Sequence, residues 1–194
     1  KAASQISEVF VSTDDQQIAD IAQDAGAQVP WLRPPAIATD TSSILDVIDH
    51  FLDWCEAHSR LPDGIMILQP TSPFRQPATL NAAVQALERA AGKQSVIGVT
   101  KAGHCHPSWA FTLNDEQIAP LDPEGLHKRS QELDSIFYVN GYVYIVTPEQ
   151  IRTGRTLFTA NCCPVVIDNP HEALDIDTEW DWQFAEFLAS RPDE

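Results

Sequence analysis

The 194-residue chain has 12 basic and 28 acidic residues, a formal net charge of −16, with 43% hydrophobic and 21% charged side chains. This composition suits a single globular domain with a substantial core, and the acidity argues against nucleic acid or an anionic membrane as partner. No apolar run approaches bilayer length and no secretory h-region opens the chain. A small anionic substrate stays possible, because a few focused arginines can serve one locally.

In chain order, the short apolar run "EVFVS" (8–12) reads as a buried strand. A helix follows, with Thr13 or Asp14 as N-cap, Ile18, Ile21, Ala22 and Ala25 at helical spacing, and Gly26 as stop. "QVPWLRPP" is extended and proline-broken. The strongest helical pattern has Ser42 or Ser43 as cap and a stripe of Ile44, Leu45, Ile48, Phe51, Leu52 and Cys55. "GIMILQ" (64–69) reads as a strand buried on both faces, then a helix near 77–91, then a second buried strand, "QSVIGVT" (94–100). A hairpin is expected around Asn114-Asp115, two β-rich runs around Asn140-Gly141, a further strand at 164–168 and a last helix near 178–189. Strands alternating with helices imply βαβ units and a parallel sheet, made mixed by the later hairpins. In such sheets ligands bind beyond the carboxyl ends of the strands.

Four cysteines, Cys55, Cys105, Cys162 and Cys163, include no C-x-x-C pair, which fits a reducing cytoplasm. His104-Cys105-His106 lacks a second ligand pair at zinc spacing. Gln69, ending an apolar strand, must find hydrogen bonds, either from its own loop or from a ligand. In "HEALDIDTEWDW", Asp175 and Asp177 stand one residue apart; in an extended segment they share a face and repel each other. A hard divalent cation such as Mg²⁺ resolves that repulsion. So does a solvated loop entering a helix, with Thr178 or Asp177 as N-cap and Glu179 and Asp181 in the first turn.

Taken in order, "VSTDDQQIADIAQDAGAQVPWLRP", "ATDTSS", "ILQPTSPFR", "SVIGVT…HP", "RSQEL", "VNGYVYI" and "DIDTEWD" make the chain resemble the acylneuraminate cytidylyltransferases, or CMP-sialic acid synthetases, along essentially its whole length. The resemblance implies a Rossmann-like α/β fold of the nucleotide-diphospho-sugar transferase type, with a mixed, mainly parallel sheet and a hairpin excursion for dimerisation. It implies transfer of CMP from CTP to a nine-carbon 2-keto-3-deoxy sugar acid, and Mg²⁺ held by Asp175 and Asp177 against the triphosphate. Arg33, Asp40 and Ser43 (or Ser42) match the nucleotide segment; Gln69, Arg129, Gln131, Asn140 and Tyr144 match positions that contact the sugar acid. Asn140-Gly141 is equally a strong hairpin signal in its own right, and Arg129 equally suits a basic surface turn.

Two departures from the family pattern matter. Trp109 stands where some relatives carry a basic residue, so carboxylate recognition falls to Arg129 or Lys101. The family's opening strand and "ARGGSKG"-type phosphate loop are not in this sequence, residues 1–7 matching the end of the helix after them. The 194 residues are therefore expected to be a fragment, inactive alone. Family members are generally homodimers whose partner helps to close the sugar site, and the Trp109 hairpin and the segment near Cys162 are the expected contributors. Legionaminate and pseudaminate are rival substrates, and a non-catalytic sugar-acid-binding protein is the rival of another class.

Overall fold

Residues 3–191 are described by a computed structural model. In chain order its helices are α1 (Gln16–Asp24), α2 (Ile44–Ala57), α3 (Pro77–Arg89), α4 (Pro148–Gly154) and α5 (Glu179–Ala189). The strands are β1 (Ile65–Ile67), β2 (Val96–Lys101), β3 (Phe111–Asn114), β4 (Gln117–Pro120), β5 (Phe137–Val146) and β6 (Cys163–Val166). Four strands form a sheet in the order β1-β5-β2-β6, and β3 pairs with β4 alone. The sheet is mixed, as expected. β1 runs antiparallel to β5, with Ile65 opposite Val146 and Ile67 opposite Tyr144. Cys163 N–H donates to Ser95 C=O and Ile167 N–H to Val99 C=O, a four-residue advance on both chains that marks a parallel ladder.

Two units can be distinguished. The first comprises residues 3–69, Arg75–Ile97 and Val143–Val165; the second comprises Pro70–Phe74, Gly98–Tyr142 and residues 166–191.

In the first unit, α2 forms because Ser43 accepts the Leu45 N–H at 3.2 Å as N-cap, after which an apolar stripe recurs at helical spacing. Ile48, Leu52 and Cys55 are buried on that stripe. Ile48 and Leu52 join Val146 and Ile151, with Leu45, Ile65, Ile67 and Leu157 packed around them. Each such side chain contributes about 1.5–3 kcal/mol by leaving water. The other side of α2 carries Asp46, Asp49, Asp53 and Glu56, like charges at helical spacing that repel. Arg152 of α4 answers them with ion pairs to Asp49 (3.0 Å), Asp53 (2.6 Å) and Glu56 (3.0 Å), and Arg155 with pairs to Asp49 (2.6 Å) and Asp46 (2.7 Å). The sequence reading passed over α4, although its start is written there: Thr147 and Gln150 form a capping box around Pro148.

Three expectations need correction here. Residues 8–12 form no strand: Phe10 makes one parallel bridge to Gln28, through Gln28 N–H to Val9 C=O and Val11 N–H to Gln28 C=O. The next rung would need an N–H from residue 30, which is Pro30. Phe10 instead lies edge-on to Phe51 and Trp54, Trp54 in turn packs against Trp31, and Arg60 lies over the rings of Phe10 and Trp54. The α1 cap is Asp15, because the buried Thr13 hydroxyl already accepts the Asp15 N–H; Gly26, at φ +87°, stops the helix as expected. β1 is short and half-buried, standing at one end of the strand order. Of the helix end expected at residues 1–7, Lys1 and Ala2 lie outside the described residues, and Ile6 N–H closes one turn onto Ala3 C=O.

In the second unit the expected hairpin is present, Asn114 facing Gln117 and Phe111 facing Pro120 around Asp115 at φ +53°. The Asn140-Gly141 hairpin is not. β5 runs straight through, with Gly141 at φ +72° inside the strand. The Asn140 side chain explains this: its Oδ1 accepts the Tyr142 N–H at 3.1 Å and its Nδ2 donates to Thr100 Oγ1 on β2 at 2.7 Å. The step is thereby pinned as a local kink rather than released as a turn.

Replacing Arg152 with Ala should lower the unfolding free energy by about 1–2 kcal/mol in urea titrations at low salt, since three pairs are lost and Asp53 and Glu56 are left unopposed, Arg155 still holding Asp46 and Asp49. The deficit should shrink in about 1 M NaCl. An equal deficit at both ionic strengths would mean that the arginine acts through packing of its stem.

Candidate functional site

The stretch that carries the acidic pair is held on both sides. Upstream, His171 N–H bonds Asn169 Oδ1 at 2.9 Å and Ala173 N–H bonds Asn169 C=O at 3.0 Å, closing a turn. Between the two aspartates, Ile176 N–H donates to Thr71 C=O at 2.9 Å. Downstream, Thr178 caps α5 in a reciprocal box with Asp181. The carboxylate of Asp181 accepts the N–H groups of Asp177 (3.2 Å) and Thr178 (2.8 Å) and the Thr178 hydroxyl (2.7 Å). The helix-cap reading is therefore correct for Thr178 and Asp181.

It does not account for the other two acids. Asp175 has a buried Oδ1 with no hydrogen-bond partner among the described residues. The Asp177 side chain is exposed, and it accepts no hydrogen bond among the described residues. A desolvated carboxylate oxygen without a donor is costly unless a cation meets it, and carboxylate oxygens are the donors Mg²⁺ takes. Among the described residues no cluster of three or more His, Cys, Asp or Glu is placed to hold a metal, so a cation here would draw its other ligands from water and substrate oxygens.

Elsewhere in the second unit, Gln131 lines a pocket of about 310 Å³ with Lys101, His106, Trp109, Ser130 and Asp134. Arg129 begins the same short 3₁₀ turn, with its backbone N–H on Glu132 at 2.8 Å and its side chain exposed. His106 is fully engaged as a wall: Nδ1 accepts the Ser108 N–H at 3.1 Å and Nε2 donates to Asp134 C=O at 3.0 Å. Asp122, which accepts from the Ser108 hydroxyl at 2.7 Å and Gly125 N–H at 2.9 Å, has its pKa held below the usual aspartate value, chiefly by the Ser108 bond. Asn140 is buried in β5, with the two bonds described above.

In the first unit, the Arg33 Nε donates to Ser12 Oγ at 3.1 Å and a terminal guanidinium nitrogen donates to Ser12 C=O, while its backbone N–H bonds Thr13 at 2.7 Å. Ser43 caps α2, and the Ser42 hydroxyl accepts Thr39 N–H at 2.9 Å. Gln69 is exposed and forms no hydrogen bond among the described residues, so it does not tie down its own loop. Tyr144 is half-buried on β5, edge-on to Phe158 at 6.1 Å. The sequence reading missed Tyr142 and Glu172: Tyr142 is wholly buried, and its hydroxyl donates to the buried Glu172 carboxylate. Only the unusual placement of an acid in "NPHEALDID" hinted at it.

Residues 1–173 match the cytidylyltransferase family. The chain is 36% identical over 187 residues to the CMP-N,N'-diacetyllegionaminic acid synthase of Legionella pneumophila, covering 93% of this chain and 77% of that one. It is 28% identical over 177 residues to the N-acylneuraminate cytidylyltransferase of Streptococcus agalactiae, covering 90% of this chain and 41% of that longer protein. A solved structure of CMP:2-keto-3-deoxy-manno-octonic acid synthetase complexed with CTP superposes with a TM-score of 0.64 at 15% identity, over 97% of this chain and 84% of that one, which is a likeness of fold.

The Asp181 carboxyl is held below the usual aspartate value, first by the Thr178 hydroxyl and then by the Thr178 and Asp177 N–H groups. A depressed native pKa gives stabilisation that is present above the unfolded value of about 3.9 and is lost as pH falls through the native one. Thermal midpoints of the parent and Asp181→Asn should therefore differ at neutral pH and converge under increasingly acid conditions. A gap independent of pH would exclude this carboxylate as the source.

Proposed function

The chain belongs to the cytidylyltransferase family of nucleotidyltransferases, and from that premise we propose that it transfers CMP from CTP to the anomeric hydroxyl of a nine-carbon 2-keto-3-deoxy sugar acid, N-acetylneuraminate or a close relative, releasing pyrophosphate. The observation that carries this reading is the pair of carboxylates left over once the α5 cap is complete: Asp175 with its unpartnered buried oxygen, and Asp177 exposed beside it. Asp175 and Asp177 would hold Mg²⁺. Bound there, the cation supplies neutralisation of the nucleotide's phosphate oxygens, the main requirement of phosphoryl chemistry.

The remaining roles belong to the protein's own side chains. Arg33, oriented by Ser12, serves the nucleotide together with Ser42 and Ser43. Gln69, Arg129, Gln131, Asn140 and Tyr144 serve the sugar acid. Arg129 offers a planar, permanently charged fork for a carboxylate, and Lys101 adds a cation beside Gln131. A homodimer is part of the same reading, supported by the β3–β4 hairpin, whose Phe111, Leu113 and Ile118 are exposed. Among the described residues no helix is long and apolar enough to cross a membrane, and we place the reaction in the cytoplasm.

Among candidate acids, a diacylated one of the legionaminate kind is favoured by the 36% identity to a protein named for it. A sugar-acid-binding protein without catalysis has no use for an unpaired carboxylate dyad.

Pyrophosphate release with CTP and Mg²⁺ should be highest with N,N'-diacetyllegionaminate when that acid competes with N-acetylneuraminate and pseudaminate. With the family's opening phosphate-loop segment present, Asp177→Ala should lower turnover by at least roughly 100-fold, the scale seen when one charge-stabilising contact is removed. Near-normal turnover of this variant at ordinary Mg²⁺ would remove the metal assignment, and sugar binding with no response to CTP and Mg²⁺ would favour the binding protein.

A further inference from the structure

Hydrogen bonds run from the sheet to Glu172, three residues before the acidic pair begins. Thr100 Oγ1 accepts from Asn140 Nδ2 at 2.7 Å, Asn140 Oδ1 accepts the Tyr142 N–H at 3.1 Å, and the Tyr142 hydroxyl donates to Glu172. Every member lies in the second unit. Glu172 is 8% exposed, Tyr142 0% and Asn140 9%, and Glu172 stands three residues before Asp175. A buried carboxylate against a hydroxyl is a poor choice for stability alone, since an apolar pair of similar volume does as well or better. What the polar pair adds is direction, because a hydrogen bond admits one arrangement where apolar side chains admit several.

We propose that Tyr142 and Glu172 are positioning residues that fix the segment bearing Asp175 and Asp177 for its cation, a role that rests on the metal reading given above. Glu172 anchors the upstream end of the segment, Ile176 pins its middle to Thr71, and the Thr178–Asp181 box fixes its downstream end. With the upstream anchor removed, the backbone between Asn169 and Ile176 can shift, and the two carboxylates no longer present their oxygens in one geometry. Partners that orient metal ligands commonly change affinity by about 10–100-fold when lost.

The test uses three variants of this chain. Tyr142→Phe removes the donor, Glu172→Gln keeps an acceptor without the charge, and the double variant Tyr142→Phe/Glu172→Leu removes both polar groups while filling the space. Two quantities are read: hydrogen-exchange protection of the Ile176 amide, and Mn²⁺ affinity in the presence of CTP by electron paramagnetic resonance. Tyr142→Phe and the double variant should lose about 10-fold in Mn²⁺ affinity or more, with a matching fall in Ile176 protection. Glu172→Gln should retain most of both. The double variant should unfold close to the parent's midpoint, which separates positioning from stability.

A folded double variant with unchanged Ile176 protection and Mn²⁺ affinity would overturn the proposal. A Mn²⁺ affinity unchanged in Asp177→Ala would overturn the metal reading instead. The Ile176 exchange would then still decide whether the tyrosine and glutamate hold the segment.

Discussion

Asp175 and Asp177 flank a single amide that is bound to another segment, Ile176 N–H on Thr71 C=O. That bond fixes a backbone on which two like charges would otherwise push apart. The loop after β1 supplies the acceptor, the α5 cap consumes Asp181, and the Tyr142–Glu172 contact holds the upstream turn. Each of these features satisfies a donor that would otherwise be orphaned near the pair. Of the acids in this stretch, Asp175 and Asp177 are the two whose carboxylates accept no hydrogen bond among the described residues, so the arrangement concentrates unmet acceptor capacity at one place.

The same division explains how much could be read from the sequence. Helices announce themselves locally, and α2, α3 and α5 lie where spacing and caps predicted, because capping and amphipathic periodicity are properties of neighbouring residues. The hairpin at Asn114-Asp115 was legible for the same reason. The identical logic failed at Asn140-Gly141, since what decides there is a bond from Asn140 to Thr100, forty residues away. It failed at 8–12 as well, where Pro30 cuts the ladder from the partner's side. At the site, the aspartates could be singled out by their spacing, whereas Tyr142 and Glu172 are thirty residues apart and carry no motif. Local chemistry is written in the sequence, but a partner supplied by another segment is not.

Positive charge is scarce in this chain, and its distribution carries meaning. Arg152 and Arg155 are spent on the acidic side of α2, and Arg60 pairs with Glu8 at 2.6 Å while covering Phe10 and Trp54. Arg33 is turned toward Ser12, and Arg191 lies 4.3 Å over the Phe187 ring. In the second unit, Lys101 and Arg129 make no ion pair among the described residues. An anionic substrate approaching a chain of net charge −16 meets repulsion at long range, screened beyond about 8–10 Å at physiological salt. Recognition must then come from short-range contacts, for which the proposal uses these two cations and a cation carried in with the nucleotide.

The acidic pair is sparsely built. A dedicated protein cage would surround its ion with several carboxylates, and in a chain this acidic it would bind divalent ions without any substrate. On the proposed metal reading, two aspartates with one buried oxygen between them would give a weaker site, incomplete until phosphate oxygens supply the missing ligands. On that proposal metal and nucleotide would bind as one unit, each raising the affinity for the other by the same factor. Such coupling demands that the two protein ligands be fixed in advance, because any freedom they keep must be lost when the nucleotide arrives. In the proposal, the Tyr142–Glu172 contact meets that demand at the upstream turn and the Ile176–Thr71 bond meets it between the two aspartates.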